Sequence, residues 1–146
     1  MNHDSYSDAY LRELLSGVRT IAVVGISPRP IRPSHSVAAY LKGVGYRIIP
    51  INPGHAGGRI LGEPVFARLA DVPEPIDMVD IFRRTEALAG VVAEAIALKP
   101  RPRVVWMQLG LRDDAAAARA ETAGIAVVMD HCSKIEHGRL IGLPRG

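Results

Sequence analysis

The chain has a single cysteine, Cys132, among its 146 residues. That excludes an intramolecular disulfide framework and any zinc site built on several cysteines, and it suits a reducing compartment. Aromatic residues make up only 5% of the chain, and lysine occurs only at 42, 99 and 134, so 15 of the 18 basic residues are arginine. Nucleic acid is therefore not the expected partner: there is no lysine-rich run, no aromatic ladder and no recognition-helix pattern. No apolar run approaches the ~20 residues of a membrane span. Residues 1–6 lack the basic start and apolar centre of a signal peptide, which makes a cytoplasmic location the expectation. The five histidines, at 3, 35, 55, 131 and 137, show no metal-ligand spacing, so we expect no metal site. No acid/base pair stands out either. Asp130-His131-Cys132 sets a thiol beside an imidazole, but neighbours in an extended chain face opposite ways, so a buried, inert cysteine is the reading.

What the chain does have is a globular balance, 48% hydrophobic and 23% charged, with length for one domain over residues 1–146. Residues 1–19 hold a helix with an apolar stripe at Tyr10, Leu11, Leu14, Leu15 and Val18, capped by Ser5 or Ser7 and ended at Gly17. Five β/α alternations follow. The expected strands run over 20–25, 46–51, 77–81, 103–107 and 125–129, and the expected helices over 34–43, 86–98 and 113–123. Thr85 is placed to cap the second of these helices. Pro50 inside the second strand marks a bulge or an edge. The loop-rich stretch 55–75 holds a short helix near 66–70, and residues 130–146 form a docked tail. The alternation predicts an α/β fold with one doubly wound parallel sheet of about five strands, of Rossmann type.

The loop after the first strand carries the functional signal. Ile21-Ala22-Val23-Val24 leads into Gly25, and helical spacing resumes at Val37, Tyr40, Leu41 and Val44. Such a turn offers backbone N–H groups and a helix N-terminus to a phosphate. The dinucleotide fingerprint G-x-G-x-x-G is incomplete, since Ser27 and Pro30 stand at its second and third glycines. Pro28, Pro30 and Pro33 stiffen the loop and remove three donors. Ser27, Ser34 and Ser36 can supply hydroxyl groups in their place, and Ser34 or Ser36 can equally serve as helix caps.

Basic residues cluster after strands: Arg29 and Arg32 after the first, Arg59 after the second, Arg83 and Arg84 after the third. Strand C-terminal ends border the ligand crevice of an open α/β sheet. Arg83 and Arg84 also begin a helix, where cations are unfavourable. They pair either with an external anion or with Asp77, Asp80 or Glu86. Asn52 occupies the place where NAD enzymes commonly carry an acidic residue, and it is a turn former or a ribose or phosphate contact. Trp106 is expected in the core, while Gln108 can point either way.

Six motifs occur in order: Ala22-Val23-Val24-Gly25-Ile26-Ser27-Pro28, Ile48-Ile49-Pro50-Ile51-Asn52-Pro53, Ile60-Leu61-Gly62, Val79-Asp80-Ile81-Phe82-Arg83-Arg84, Trp106-Met107-Gln108-Leu109-Gly110 and Val127-Val128-Met129-Asp130-His131-Cys132. Together they resemble the small stand-alone CoA-binding proteins, which are similar to the N-terminal domain of the succinyl-CoA synthetase alpha subunit and of ADP-forming acyl-CoA synthetases. The resemblance implies a small-molecule ligand, coenzyme A or an acyl-CoA. It implies phosphate contacts from Gly25, Ile26 and Ser27, and further contacts from Asn52, Pro53, Phe82, Arg83 and Arg84. A synthetase's phosphohistidine and nucleotide-grasp parts are missing, so the resemblance implies binding without thioester chemistry. Two alternatives stay open: an NAD(P)-binding regulatory or oxidoreductase-like protein, and the CoA-site subunit of a split acyl-CoA ligase.

Overall fold

A computed structural model describes residues 1–144. In chain order the elements are α1 (Asp8–Gly17), β1 (Thr20–Val24), α2 (Pro33–Gly43), β2 (Arg47–Ile51), β3 (Arg59–Ile60), β4 (Glu63–Pro64), β5 (Met78–Ile81), α3 (Leu88–Ala97), β6 (Val104–Met107), α4 (Asp114–Thr122), β7 (Ala126–Val128) and α5 (Ser133–Leu140). Five strands form one parallel sheet in the order β2-β1-β5-β6-β7, and β3 and β4 form a small antiparallel hairpin.

The apolar runs become central strands because both faces of the sheet are covered. Alternate residues divide between two clusters. Ile21 and Val23 of β1 pack with α1 and α2 on one side, while Ala22 and Val24 pack with α3 and α4 on the other. Chain direction across the sheet reverses at β1. The β1–α2–β2 crossover and the β5–α3–β6 crossover therefore need helices on opposite faces to remain right-handed. That reversal leaves the strand C-terminal ends of β1 and β5 open between the two helix layers, where doubly wound folds bind ligands.

Pro50 sits in an edge strand. Its carbonyl accepts from Phe66 N–H at 3.0 Å on the outer side, so its missing N–H faces outward and no bond to β1 is lost. Phe66 makes an isolated parallel bridge to Ile51. The helix expected near 66–70 is thus replaced by an extended Phe66 and a 3₁₀ turn at Leu69–Asp71, because the chain here completes the edge of β2. Thr85 is not a helix cap: a 3₁₀ turn at Thr85–Ala87 precedes α3, and Ala87 N–H already donates to Arg84 O at 2.9 Å. Ser7 does cap α1, accepting from Tyr10 N–H at 3.1 Å.

The tail forms α5 against α1 and α2. Arg139 pairs with Asp8 at 2.9 Å, and His137 shares a 2.8 Å hydrogen bond with the Tyr40 hydroxyl. Residues 145 and 146, the end of the tail expected at 130–146, lie outside the described residues. Among the described residues no helix is long and apolar enough to cross a membrane.

Candidate functional site

The loop from β1 to α2 is tied down residue by residue. Gly25 donates its N–H to Ile51 O at 2.9 Å and adopts φ +87°. A Cβ there would stand 2.1 Å from Phe82 O and 2.9 Å from Arg83 Cδ, so the β5–α3 segment lies directly against this glycine. Ile26 is buried, and its carbonyl accepts from Asn52 Nδ2 at 2.8 Å. Asn52 Oδ1 accepts from Gly54 N–H at 2.9 Å, which closes the turn containing Pro53. Asn52 therefore acts as a strut between the ends of β1 and β2, the turn-former role among those expected.

Ser34 is buried and its Oγ accepts from Ser27 N–H at 2.9 Å, clamping the loop onto the first turn of α2. The Ser27 hydroxyl in turn accepts from Arg29 N–H at 3.1 Å. Neither Ser34 nor Ser36 caps the helix. Arg32 is the N-cap and contributes no side-chain cap, and Ser36 Oγ instead accepts from Lys134 Nζ at 3.3 Å. With Pro33 lacking an N–H, the helix start has no side chain of its own to satisfy the first-turn donors.

Two adjoining hollows open above the sheet and share Gly25, Phe82 and Arg83. On the β2 side, one of about 640 Å³ is bordered by Asn52, Pro53 and Arg84. On the β6 side, one of about 500 Å³ is bordered by Ser27, Arg32, Ser34, Gln108, Leu109 and Leu111. Of the five strand-end arginines, Arg32, Arg83 and Arg84 border this crevice. Arg29 is exposed on the loop and borders neither hollow, while Arg59 turns into the β3–β4 hairpin and donates to Gly62 O at 2.9 Å.

Among the described residues no carboxylate pairs with Arg32, Arg83 or Arg84. Arg47, Arg112 and Arg139, by contrast, all sit in ion pairs. Two of the three acids considered as partners, Asp77 and Asp80, are engaged elsewhere, and Glu86 is exposed without an ion pair to Arg83 or Arg84. Asp77 Oδ2 accepts from the backbone N–H groups of Arg19 and Thr20 at 2.9 and 3.0 Å. Asp80 is wholly buried and accepts from Gln108 Nε2 at 2.5 Å and from the Ser133 hydroxyl at 2.8 Å. Among the described residues the crevice thus presents cationic groups with no internal counter-charge.

Sequence reasoning weighed Asp80 only as an ion-pair partner. An acid between Val79 and Ile81 in a strand covered on both faces was the signal that it must be buried and hydrogen-bonded. Burial pushes its carboxyl up to about 7 from an ordinary 3.8, against the opposing effect of its two hydrogen bonds. The neutral form is thus favoured by folding, and the stability it lends is complete below 3.8 and lost as pH rises to about 7. Asp80→Asn should remove that loss: its melting temperature should change less than that of the wild type between pH 5 and 8. Parallel curves would show that Asp80 titrates normally.

The remaining candidates are quiet. Trp106 is fully buried and donates from Nε1 to His131 O at 2.8 Å. His131 Nδ1 lies 2.8 Å from Met129 O, and Cys132 packs half-buried against the core beside α1 and α2. No hydrogen bond joins that thiol to the imidazole. No three His, Cys, Asp or Glu side chains among the described residues are grouped to hold a metal ion.

Residues 19–138 match the family model described as CoA binding domain. The chain belongs to this CoA-binding family. The uncharacterized protein YneT of Bacillus subtilis (strain 168) is 40% identical over 131 residues, covering 90% of this chain and 94% of that protein. The CoA-binding chain superposes on cell-free ID.343 from Thermus thermophilus with a TM-score of 0.87 and 42% identity, covering 93% of this chain and 100% of that one. It also resembles the dinucleotide forming acetyl-coenzyme A synthetase 1 of Ca. Korarchaeum cryptofilum, with a TM-score of 0.66 and 21% identity, over 80% of this chain and 27% of that one. That last likeness is one of fold.

Proposed function

We propose that this member of the CoA-binding family binds coenzyme A or an acyl-CoA in the crevice and carries out no chemistry on it alone. The observation that carries the reading is the set of exposed arginines, Arg83 and Arg84 above all, beside the backbone of Gly25 with no anion paired to them among the described residues. Coenzyme A brings a pyrophosphate and a 3′-phosphate, and guanidinium groups bind such oxygens in bidentate fashion. In this reading the phosphates lie against Gly25, Ile26, Ser27, Arg83 and Arg84, with Asn52, Pro53 and Phe82 shaping the hollow on the β2 side. The pantetheine arm crosses to the β6 side, where Leu109 and Leu111 offer apolar surface. Arg32 and Arg29 flank the entrance, and Ser34 holds the loop in shape.

The lining supports binding without catalysis. Among the described residues its polar side chains are Ser, Asn, Gln and Arg, with no Asp, Glu, His, Cys or Lys at the crevice wall. Neither serine therefore has a base beside it to make it a nucleophile. The NAD(P) alternative is weakened by Asn52, an uncharged residue whose amide is held by Ile26 and Gly54 where a dinucleotide site commonly carries an acid. In competition, bound CoA should withstand an equal concentration of NAD(H) or NADPH, and displacement by either would favour the dinucleotide reading. A split ligase predicts a stable complex with a second chain on co-purification.

A further inference from the structure

Gln108 is the only glutamine in the chain, and its two ends face different surroundings. Above pH 7 the Asp80 carboxyl is ionised and can only accept, so the amide nitrogen faces it. Nε2 donates to Asp80 Oδ1 at 2.5 Å and to Ser133 Oγ at 2.9 Å, while the Ser133 hydroxyl donates to Asp80 Oδ2 at 2.8 Å. Both Nε2 protons are used in this arrangement. Oε1 has no hydrogen-bond partner among the described residues, and Gln108, 6% exposed, borders the hollow on the β6 side. A buried carboxyl and a helix-start serine thus hold one amide rigidly, with its acceptor end left for the crevice. Leu109, Leu111 and Phe82 line the same hollow, so a ligand N–H entering it leaves water behind and needs an acceptor.

We propose that Gln108 is a specificity-determining residue of the crevice, its Oε1 accepting an amide N–H from the ligand's arm, with Asp80 and Ser133 as positioning residues. The proposal rests on the CoA reading, because the pantetheine arm is the part of that ligand that carries amide N–H groups. It explains why a sheet that is otherwise apolar at this depth contains a buried Asp–Ser–Gln cluster ending at the ligand hollow.

The single glutamine makes the test direct. Protein labelled with 15N at the glutamine side chain gives one amide pair, observed during addition of CoA or of adenosine 3′,5′-bisphosphate, which has phosphates but no arm. The pair should shift with CoA and stay in place with the bisphosphate. No shift at saturating CoA, or the same shift with both probes, overturns the assignment. Gln108→Met should bind CoA about tenfold more weakly, the equivalent of one hydrogen bond, and the bisphosphate unchanged. Equal weakening of both would mark a purely structural residue. Uniformly 15N-labelled protein separates failure of the CoA reading itself: the backbone signals of Gly25 and Arg83 would then move with neither probe, and the Gln108 proposal would fall with it.

Discussion

Gly25→Ala is expected to destabilise the protein by about 3 kcal/mol or more and to abolish ligand binding at the crevice. Two costs add. A left-handed backbone costs a residue with a Cβ roughly 1–2 kcal/mol, and a forced shift in packed surroundings costs typically 1–3 kcal/mol more. The first follows from φ +87°, the second from a Cβ placed 2.1 Å from the Phe82 carbonyl, which is backbone and has no rotamer to escape into. Gly124 is the control. It has φ +84°, and a Cβ added there would meet nothing within 4 Å, so Gly124→Ala should show the conformational cost alone, roughly 1–2 kcal/mol. Urea unfolding of both variants measures the difference. Equal destabilisation would mean that the β1 turn and the β5–α3 segment are not in rigid contact, and the crevice would lose its fixed floor.

The double variant Arg83→Ala with Arg84→Ala should weaken CoA about 30-fold while leaving adenosine nearly unaffected. A hydrogen bond to a charged group contributes about 1.5–3 kcal/mol, and exposure to water reduces this to about 1 kcal/mol per arginine. Two such losses give the factor. Because exposed charges are screened by salt, the gap between wild type and variant should narrow as ionic strength rises. Folding should be little affected, since neither guanidinium has an internal partner among the described residues. Equal losses for CoA and adenosine would contradict the phosphate role.

The sheet was legible because its information is local. Ile21–Val24 and Val104–Met107 are short apolar runs between turn residues, and both became central strands. The crevice was legible for the same reason, since strand ends and the residues after them are read directly from the period. What could not be read depends on how distant segments meet. Ser34 has the sequence position of a helix cap, but the folded-back loop brings Ser27 N–H to its hydroxyl. Arg59 follows the second strand as the crevice arginines follow theirs, yet the hairpin of β3 and β4 takes it elsewhere. Thr85 lost its capping role to a 3₁₀ turn, a difference of two residues in where the helix begins. Gln108 lay within reach of sequence reasoning. Alternation from Val104 through Trp106 puts residue 108 on one face, and Met78 puts Asp80 on the same face. Only the strand register joins the two.

Calorimetric titration of the purified protein with CoA, dephospho-CoA, NAD and ATP at one fixed salt concentration tests the central claim most directly. The account predicts that CoA binds most tightly and that dephospho-CoA, lacking the 3′-phosphate, binds more weakly. Absence of CoA binding alongside clear binding of NAD or ATP would contradict it, and the crevice would then be a nucleotide site of another kind.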